Sequence, residues 1–384
     1  MTLDSTLTEE QPLLQPKMFL RPAIAWATVA MFLIFGSDWM QHLSNHAIGL
    51  SLFAWLFVVI VWGSFGVVHE AEELAGLLGE PVGTLVLTLS IVLIEVVLIS
   101  AVMLGAGDTA TLARDTMYAV LMIVLNGVVG IGLLIGGMRH HEQAYNLHGA
   151  SAFLAVIIPL AMIALVLPSF TASTPDGSLT AVQAVSFSIL TIGLYGLFLW
   201  LQTGRHQGYF VAPRSDTDLN LPEEPPAPPR RARKGEMALH LVMLLVNILP
   251  IVILSKSLAK VLDYGIAATG APHALGGVII AMLVFTPEGI SALIAIRRDQ
   301  LTRAINLCLG GAASTVGLTV PAVLAIGLFT GKPVVLGLPP ASMVVLASTL
   351  VLSTLTFSGW RTTMLEGAVH LSMFVVFLVL VFSP

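Results

Sequence analysis

Long apolar stretches dominate the sequence and are separated by short breaks containing charged residues, glycine or proline. Most of them reach about 20 residues, the length an α-helix needs to cross the hydrocarbon core of a bilayer. The pattern predicts eleven membrane-spanning helices, at about 22–40, 47–68, 83–106, 116–138, 149–171, 179–202, 237–262, 272–296, 302–330, 334–357 and 363–383. Because the stretches are uniformly apolar, they exclude a transmembrane β-barrel, whose strands alternate apolar and polar residues.

One long break divides the predicted helices into two groups. Residues 203–236 contain RSDTDLNLPEEPPAPPRRARKGE, whose charges and prolines predict an extended hydrophilic linker. We interpret it as a connector, with a regulatory or partner-binding segment as the alternative. The predicted organisation is a tail and first helix (1–46), a five-helix repeat (47–202), the linker, and a second five-helix repeat (237–384). Because five is odd, the repeats enter the membrane in opposite orientations, as in inverted-repeat transporters.

Composition supports an all-α polytopic membrane protein. Of the 384 residues, 56% are hydrophobic and 10% are charged, against about 25% charged in soluble domains. The mean hydropathy is +0.92. These values exclude an ordinary soluble enzyme, a nucleic-acid-binding protein and a disordered chain.

The positions of the basic residues predict the orientation. With the N-terminus inside, all but four of the 17 Lys and Arg residues fall on the cytoplasmic side, as the positive-inside rule requires. The four exceptions are Arg114, Lys256, Lys260 and Lys332. We therefore expect an integral protein, of a bacterial inner membrane by the resemblance described below, with a cytoplasmic N-terminus and linker and an external C-terminus.

Two acidic residues lie deep inside predicted spans, where an ionisable group is costly and marks a functional site. Glu95 is in TLVLTLSIVLIEVVLISAVML and Glu288 is in GGVIIAMLVFTPEGISALIAI. Each belongs to the second helix of its five-helix group. One carboxylate per repeat at equivalent positions predicts a shared site for cations and protons, although each could instead simply be hydrogen-bonded within the bundle.

The residues around Glu288 add to this prediction. In Thr286-Pro287-Glu288-Gly289, Pro287 lacks an amide hydrogen, so the carbonyl of Leu283 loses its helical donor. Freed carbonyls in a membrane helix are tolerated where they line a cavity or bind an ion. We expect Thr286 and Leu283 to contribute oxygen to a hard cation such as Ca²⁺ or Na⁺; a simple proline kink is the alternative.

The next span of each group carries a polar residue followed or preceded by glycines. Asn126 lies in YAVLMIVLNGVVGIGLLIGG and Ser314 in RAINLCLGGAASTVGLTVP. We expect both as further cation ligands, Ser314 and its neighbour Thr315 less strongly, because Ser and Thr in membrane helices often bond their own backbone.

Five other residues are accessory candidates. His69, Glu70 and Glu73 precede the third span and could attract cations or relay protons, although a solvated loop fits them better. Glu366 and His370 lie one turn apart at the start of the last span, where a helix-end pair is the favoured interpretation.

Four of these segments carry a resemblance to a known family. They are GEPVGTLVLTLSIVLIEVVLISAVM with RDTMYAVLMIVLNG, and FTPEGISALIAI with LTRAINLCLGGAASTVGLTVP. Through them the sequence resembles the ChaA-type bacterial cation/proton antiporters of the calcium:cation antiporter superfamily, over about 47–383 apart from the linker. The resemblance implies Glu95 and Glu288 as carriers of cations and protons, and Asn126 and Ser314 as secondary ligands.

The sequence departs from the superfamily at one point. A Gly-Asn pair usually stands four and three positions before each glutamate, but here these positions hold Ile91-Val92 and Val284-Phe285. The resemblance implies exchange of Ca²⁺, Na⁺ or K⁺ for H⁺, and the missing Asn ligands favour Na⁺ or K⁺ alongside Ca²⁺.

We therefore predict a secondary active antiporter that works by alternating access. Its expected partners are the transported ions and membrane lipid; we expect no resident cofactor, and the metal bound by Glu95 and Glu288 is cargo. A passive cation channel is the alternative. A membrane-embedded enzyme has little support, because Asp108 lies in a predicted loop and no HExxH motif occurs.

Overall fold

In the computed structural model, residues 16–79, 82–104, 109–212 and 234–383 are described, and they form an all-helical protein. Ten helices are long and apolar enough to cross a membrane, and an eleventh, α10, is apolar but shorter. The helices are α1 (Pro16–Gln41), α2 (His46–Leu78), α3 (Val82–Met103), α4 (Leu112–His140), α5 (Leu147–Phe170), α6 (Ala181–Thr203), α7 (Lys234–Thr269), α8 (Ala274–Arg297), α9 (Leu301–Thr330), α10 (Pro340–Thr356) and α11 (Met364–Phe382). The prediction of an all-α polytopic membrane protein is confirmed.

Three helices contain a π-helical turn, which the sequence did not predict. They are α4 at Ile123–Val128, α5 at Met162–Val166 and α9 at Thr315–Thr319. A π turn admits an extra residue into the helix, rotates the side chains that follow, and is frequent at functional sites. Two of the three turns contain or adjoin predicted ligands, Asn126 and Ser314.

The ends of two elements differ from the predicted spans. Helix α2 continues to Leu78 and so includes His69, Glu70 and Glu73, for which a solvated loop was the favoured interpretation. At the start of the predicted linker, residues 207–210 form a 3₁₀ turn whose Phe210 ring packs against Phe153. The linker residues 213–233, like Glu80 and Asp108, lie outside the described residues.

Loops that were predicted on the same side of the membrane contact one another. Strand β1 (Gln143–Ala144) pairs antiparallel with β2 (Arg361–Thr362), joining the α4–α5 and α10–α11 connections. A β-bridge between Ser178 and Val335 joins the α5–α6 and α9–α10 connections. The β1–β2 pairing agrees with α10 being a full crossing of the membrane, because α10 lies between its two members.

Two glycines, Gly367 on α11 and Gly130 on α4, permit these helices to pack closely. A Cβ atom built on Gly367 would lie 2.8 Å from the carbonyl oxygen of Gly130 and 2.5 Å from the amide nitrogen of Leu134. Only a residue without a side chain fits there, as in other close membrane helix pairs. This contact brings the start of α11 beside the π turn of α4.

Candidate cation site

Glu95 and Glu288 are both buried near the middle of their helices. Glu95 on α3 is 1% exposed and Glu288 on α8 is 4% exposed. Helices α3 and α8 pack against each other, and the charge of Glu95 acts on Glu288. The two carboxylates are therefore electrostatic neighbours in an apolar interior.

Each helix that carries a glutamate also packs against a π turn from the other half of the chain. Helix α3 contacts the π turn of α9, and α8 contacts the π turn of α4. This reciprocal arrangement concentrates the unusual backbone of the protein around the two acids.

Two threonines on α9 hold the Glu95 carboxylate. The hydroxyls of Thr315 and Thr319 donate to Glu95 Oε2 at 3.0 and 2.9 Å. The residues are four apart and so lie on the same helix face. Thr319 was missed from the sequence, although its spacing from Thr315 was visible in the segment STVGLTV.

Three carboxylate oxygens have no hydrogen-bond partner among the described residues: Glu95 Oε1 and both oxygens of Glu288. A buried polar atom without a partner is costly and calls for an explanation such as an ion or a proton. These oxygens supply hard ligands of the kind that Ca²⁺ and Na⁺ use.

The turn at Pro287 remains helical. Helix α8 continues from Ala274 to Arg297 through Pro287, so the expected interruption does not occur. The Thr286 hydroxyl donates to the Met282 carbonyl at 2.5 Å, a bond to its own helix. The role predicted for Thr286, and that for the carbonyl of Leu283, which Pro287 deprives of a helical donor, stay predictions.

The two predicted ligands on the following helices make other contacts. Asn126, on the π turn of α4, bonds Thr349 and His370. The Ser314 hydroxyl donates to the Gly311 carbonyl at 2.9 Å, a bond to its own helix. The hydroxyls that reach Glu95 are those of Thr315 and Thr319, on the π turn of α9.

The accessory residues at the end of α2 divide into two groups. Glu70 is buried and its Oε2 lies 2.7 Å from His240 Nδ1 on α7, which links the two longest helices. His69 and Glu73 are exposed. Exposed Glu72 lies on the same turn and has a weak electrostatic influence on Glu288, smaller than that of Glu95.

Glu366 and His370 do not form the pair that their spacing suggested. Glu366 caps the start of α11, accepting from the backbone nitrogen of Thr363 at 2.9 Å and from its hydroxyl. His370 is fully buried and bonds Asn126 and Thr356. The partners of His370, on α4 and α10, were invisible in the sequence because they are distant in the chain.

No group of three or more His, Cys, Asp or Glu side chains arranged to hold a metal occurs within the described ranges. A cation between Glu95 and Glu288 would thus have two carboxylates, completed by hydroxyl or carbonyl oxygens.

Comparisons with known proteins agree on one family. The family model described as "Sodium/calcium exchanger protein" matches residues 48–204 and 239–383. The sodium-potassium/proton antiporter ChaA of Escherichia coli is 37% identical over 325 residues, covering 84% of this chain and 87% of that protein. The resemblance to ChaA-type antiporters is confirmed, and the relatives are transporters, not enzymes.

Solved structures share the fold at lower identity. The structure of native YfkE matches with a TM-score of 0.72 and 18% identity, covering 96% of this chain and all of that one. The H⁺/Ca²⁺ exchanger CAX matches with a TM-score of 0.65 and 14% identity, covering 95% of this chain and 89% of that one.

Proposed function

Because the chain belongs to the sodium/calcium exchanger family, we propose that it is a secondary active antiporter exchanging cytoplasmic Ca²⁺, Na⁺ or K⁺ for H⁺ by alternating access. The observation that carries the proposal is the pair of buried glutamates with three unpaired carboxylate oxygens. An uncompensated charge in an apolar interior is costly, so each carboxylate needs either a proton or a cation.

Competition for the same two carboxylates produces obligatory exchange. One divalent cation, two monovalent cations or two protons neutralise Glu95 and Glu288, and full occupancy by one cargo excludes the other. The protein changes between its inward-open and outward-open forms only when the site is neutralised, because bare carboxylates would have to pass through a closed, dry state. A gradient of either cargo then drives the other.

The ligand chemistry favours hard cations. Carboxylate and hydroxyl oxygens bind Ca²⁺ and Na⁺, whereas softer metals prefer sulfur and imidazole. The Escherichia coli relative is named for sodium-potassium/proton exchange and CAX for H⁺/Ca²⁺ exchange. We extend these cations to this chain, with Na⁺ and K⁺ supported by the absence of an Asn ligand before each glutamate.

Exposed acids at the end of α2 support entry from the cytoplasm. The charge of Glu72 acts on buried Glu288, so a cation attracted to Glu72 also experiences the field of the site. With the N-terminus and linker inside, as the basic residues predict, the proposed direction is cation outward and protons inward.

Everted vesicles containing a pH-sensitive dye test the proposal. In vesicles with the wild-type protein, a gradient of CaCl₂, NaCl or KCl should drive protons across the membrane in the direction opposite to the cation. Glu95→Gln or Glu288→Gln should abolish this proton movement. Losing one charged ligand from a buried site costs about 2–5 kcal/mol, which lowers affinity at least about thirtyfold. Glu142→Gln is the matched control, because Glu142 lies in an exposed pair with Arg361 on the loop surface.

The same assay separates the antiporter from a passive channel. An antiporter moves protons uphill at the expense of the cation gradient, and a channel does not. Robust uphill exchange by either glutamate variant, with Glu142→Gln equal to wild type, would contradict the proposed site.

A further inference from the structure

A second buried polar cluster lies between α4, α10 and α11. Asn126 Nδ2 donates to Thr349 Oγ1 at 2.7 Å, and Asn126 Oδ1 lies 3.1 Å from His370 Nδ1. The opposite ring nitrogen, Nε2, lies 3.0 Å from Thr356 Oγ1. Asn126, His370 and Thr349 are completely buried, so the cluster is isolated from solvent.

The pattern of donors and acceptors gives the chain of bonds a direction. The amide oxygen of Asn126 only accepts, so His370 must carry its proton on Nδ1. Nε2 then accepts from the Thr356 hydroxyl, and the Thr349 hydroxyl, which accepts from Asn126, points at Met122 Sδ, 3.7 Å away. Every polar side-chain atom along this chain of hydrogen bonds, which runs from Thr356 through His370 and Asn126 to Thr349, thus has a partner.

This cluster controls the orientation of Asn126. The amide nitrogen is held by Thr349 and lies 3.5 Å from Met122 Sδ, so only the oxygen can face His370. An amide oxygen has two lone pairs, and the imidazole uses one. The π turn carrying Asn126 packs on α8, the helix of Glu288.

We propose that His370 is a positioning residue for the cation site: with Thr349 it fixes the Asn126 amide so that the oxygen, not the NH₂ group, is offered to the cation. This inference rests on the proposed function. The acid on its own helix, Glu366, is engaged by the Thr363 cap. The imidazole contacts Asn126, Thr356 and the backbone of Leu125, the residue before Asn126. Without His370 only the contact with Thr349 orients the amide, and a threonine hydroxyl can donate as well as accept, so the amide can turn over and present its NH₂ group, which repels a cation.

Two variants of nearly equal polarity separate this role from a packing role. In His370→Asn the new amide nitrogen occupies roughly the place of Nδ1 and keeps the bond to Asn126. In His370→Gln it occupies roughly the place of Nε2 and keeps only the bond to Thr356. We expect His370→Gln to raise the KM for the cation about tenfold with a smaller change in kcat, and His370→Asn to restore the wild-type KM.

Variants on α10 provide an independent measurement. Thr349→Val should raise KM as His370→Gln does, whereas Thr354→Val should not, because Thr354 is exposed and bonds its own helix at Leu350. The same variants are compared as purified protein by the thermal stabilisation that CaCl₂ or NaCl gives. This reads cation binding directly and reports whether each variant folds.

The outcomes are distinct. Equal KM and equal cation stabilisation in His370→Gln and wild type would overturn the positioning role, as would equal losses in His370→Gln and His370→Asn, which would indicate packing alone. Failure of the proposed function itself would instead appear as retained exchange in Glu95→Gln or Glu288→Gln.

Discussion

Glu95 and Glu288 share the same burial but differ in their hydrogen bonds. Two threonine hydroxyls fix one oxygen of Glu95, whereas neither oxygen of Glu288 has a partner among the described residues. Hydroxyl donors stabilise the ionised form and orient it. The Glu95 carboxylate is therefore oriented by α9, whereas no described residue orients the Glu288 carboxylate through a hydrogen bond.

The threonine contacts make a prediction about affinity. A hydrogen bond to a charged group contributes about 1.5–3 kcal/mol, so Thr315→Val or Thr319→Val should raise the KM for the cation roughly ten- to a hundredfold, measured by vesicle exchange. Thr315→Ser and Thr319→Ser keep the hydroxyl and should remain close to wild type.

Thr330→Val is the control on the same helix, because Thr330 is exposed and bonds the carbonyl of Ile326. If Thr315→Val and Thr319→Val keep the wild-type KM, as Thr330→Val should, then the hydroxyls of Thr315 and Thr319 have no part in cation binding.

The sequence identified the two acids because a charge inside an apolar stretch is visible without any structure. It also named Thr315, as a weaker candidate together with Ser314, but it missed Thr319. It did not reveal that Asn126 bonds His370, because those residues are 244 positions apart and neither stretch shows a periodicity that links them.

At the scale of helices, apolar length predicted nearly every element, but local features escaped. The predicted spans match the observed helices within a few residues in most cases. Helix α2 extends through an acidic stretch because Glu70 is buried against His240 of α7. The π turns in α4 and α9 depend on packing between distant helices, which hydropathy does not record. Hydropathy thus locates a helix in the sequence, but it does not locate a π turn inside that helix.

The close approach of α11 to α4 predicts that Gly367 tolerates no side chain. Gly367→Ala would force its Cβ within 2.8 Å of the Gly130 carbonyl oxygen, and overpacking of this kind costs about 1–3 kcal/mol. We expect a lower melting temperature in detergent and, because α11 carries His370, a raised KM for the cation.

Gly359→Ala is the matched control, since a Cβ there meets only the Arg361 carbonyl oxygen, at 3.6 Å. Equal melting temperatures for the two alanine variants would show that α11 does not need its close contact with α4.

At the scale of the whole molecule, contacts between loops constrain the number of crossings. The α4–α5 connection pairs with the α10–α11 connection, and the α5–α6 connection meets the α9–α10 connection. Each pair can touch only if an even number of crossings separates its members. The first pairing has an even number of crossings only if α10 is counted as one. The second pairing spans α6–α9, and the contact of Glu70 with His240 spans α3–α6, so each is separated by four crossings whether or not α10 is counted. We therefore propose eleven crossings with the two termini on opposite sides, and the bias in Lys and Arg predicts a cytoplasmic N-terminus.

Accessibility of introduced cysteines tests this topology. Cys308 is the only cysteine and is buried. In a Cys308→Ala background, each introduced cysteine is therefore the only thiol that a maleimide can label. An impermeant maleimide applied to intact cells should label Ala172→Cys and Ser383→Cys, both in exposed external positions, because they follow an odd number of crossings. Glu142→Cys and Arg298→Cys should react only after the membrane is permeabilised. Labelling of Ser383→Cys only after permeabilisation, with Ala172→Cys accessible from outside, would mean that one helix after residue 172, most directly the short α10, does not cross, and the count of eleven crossings would be wrong.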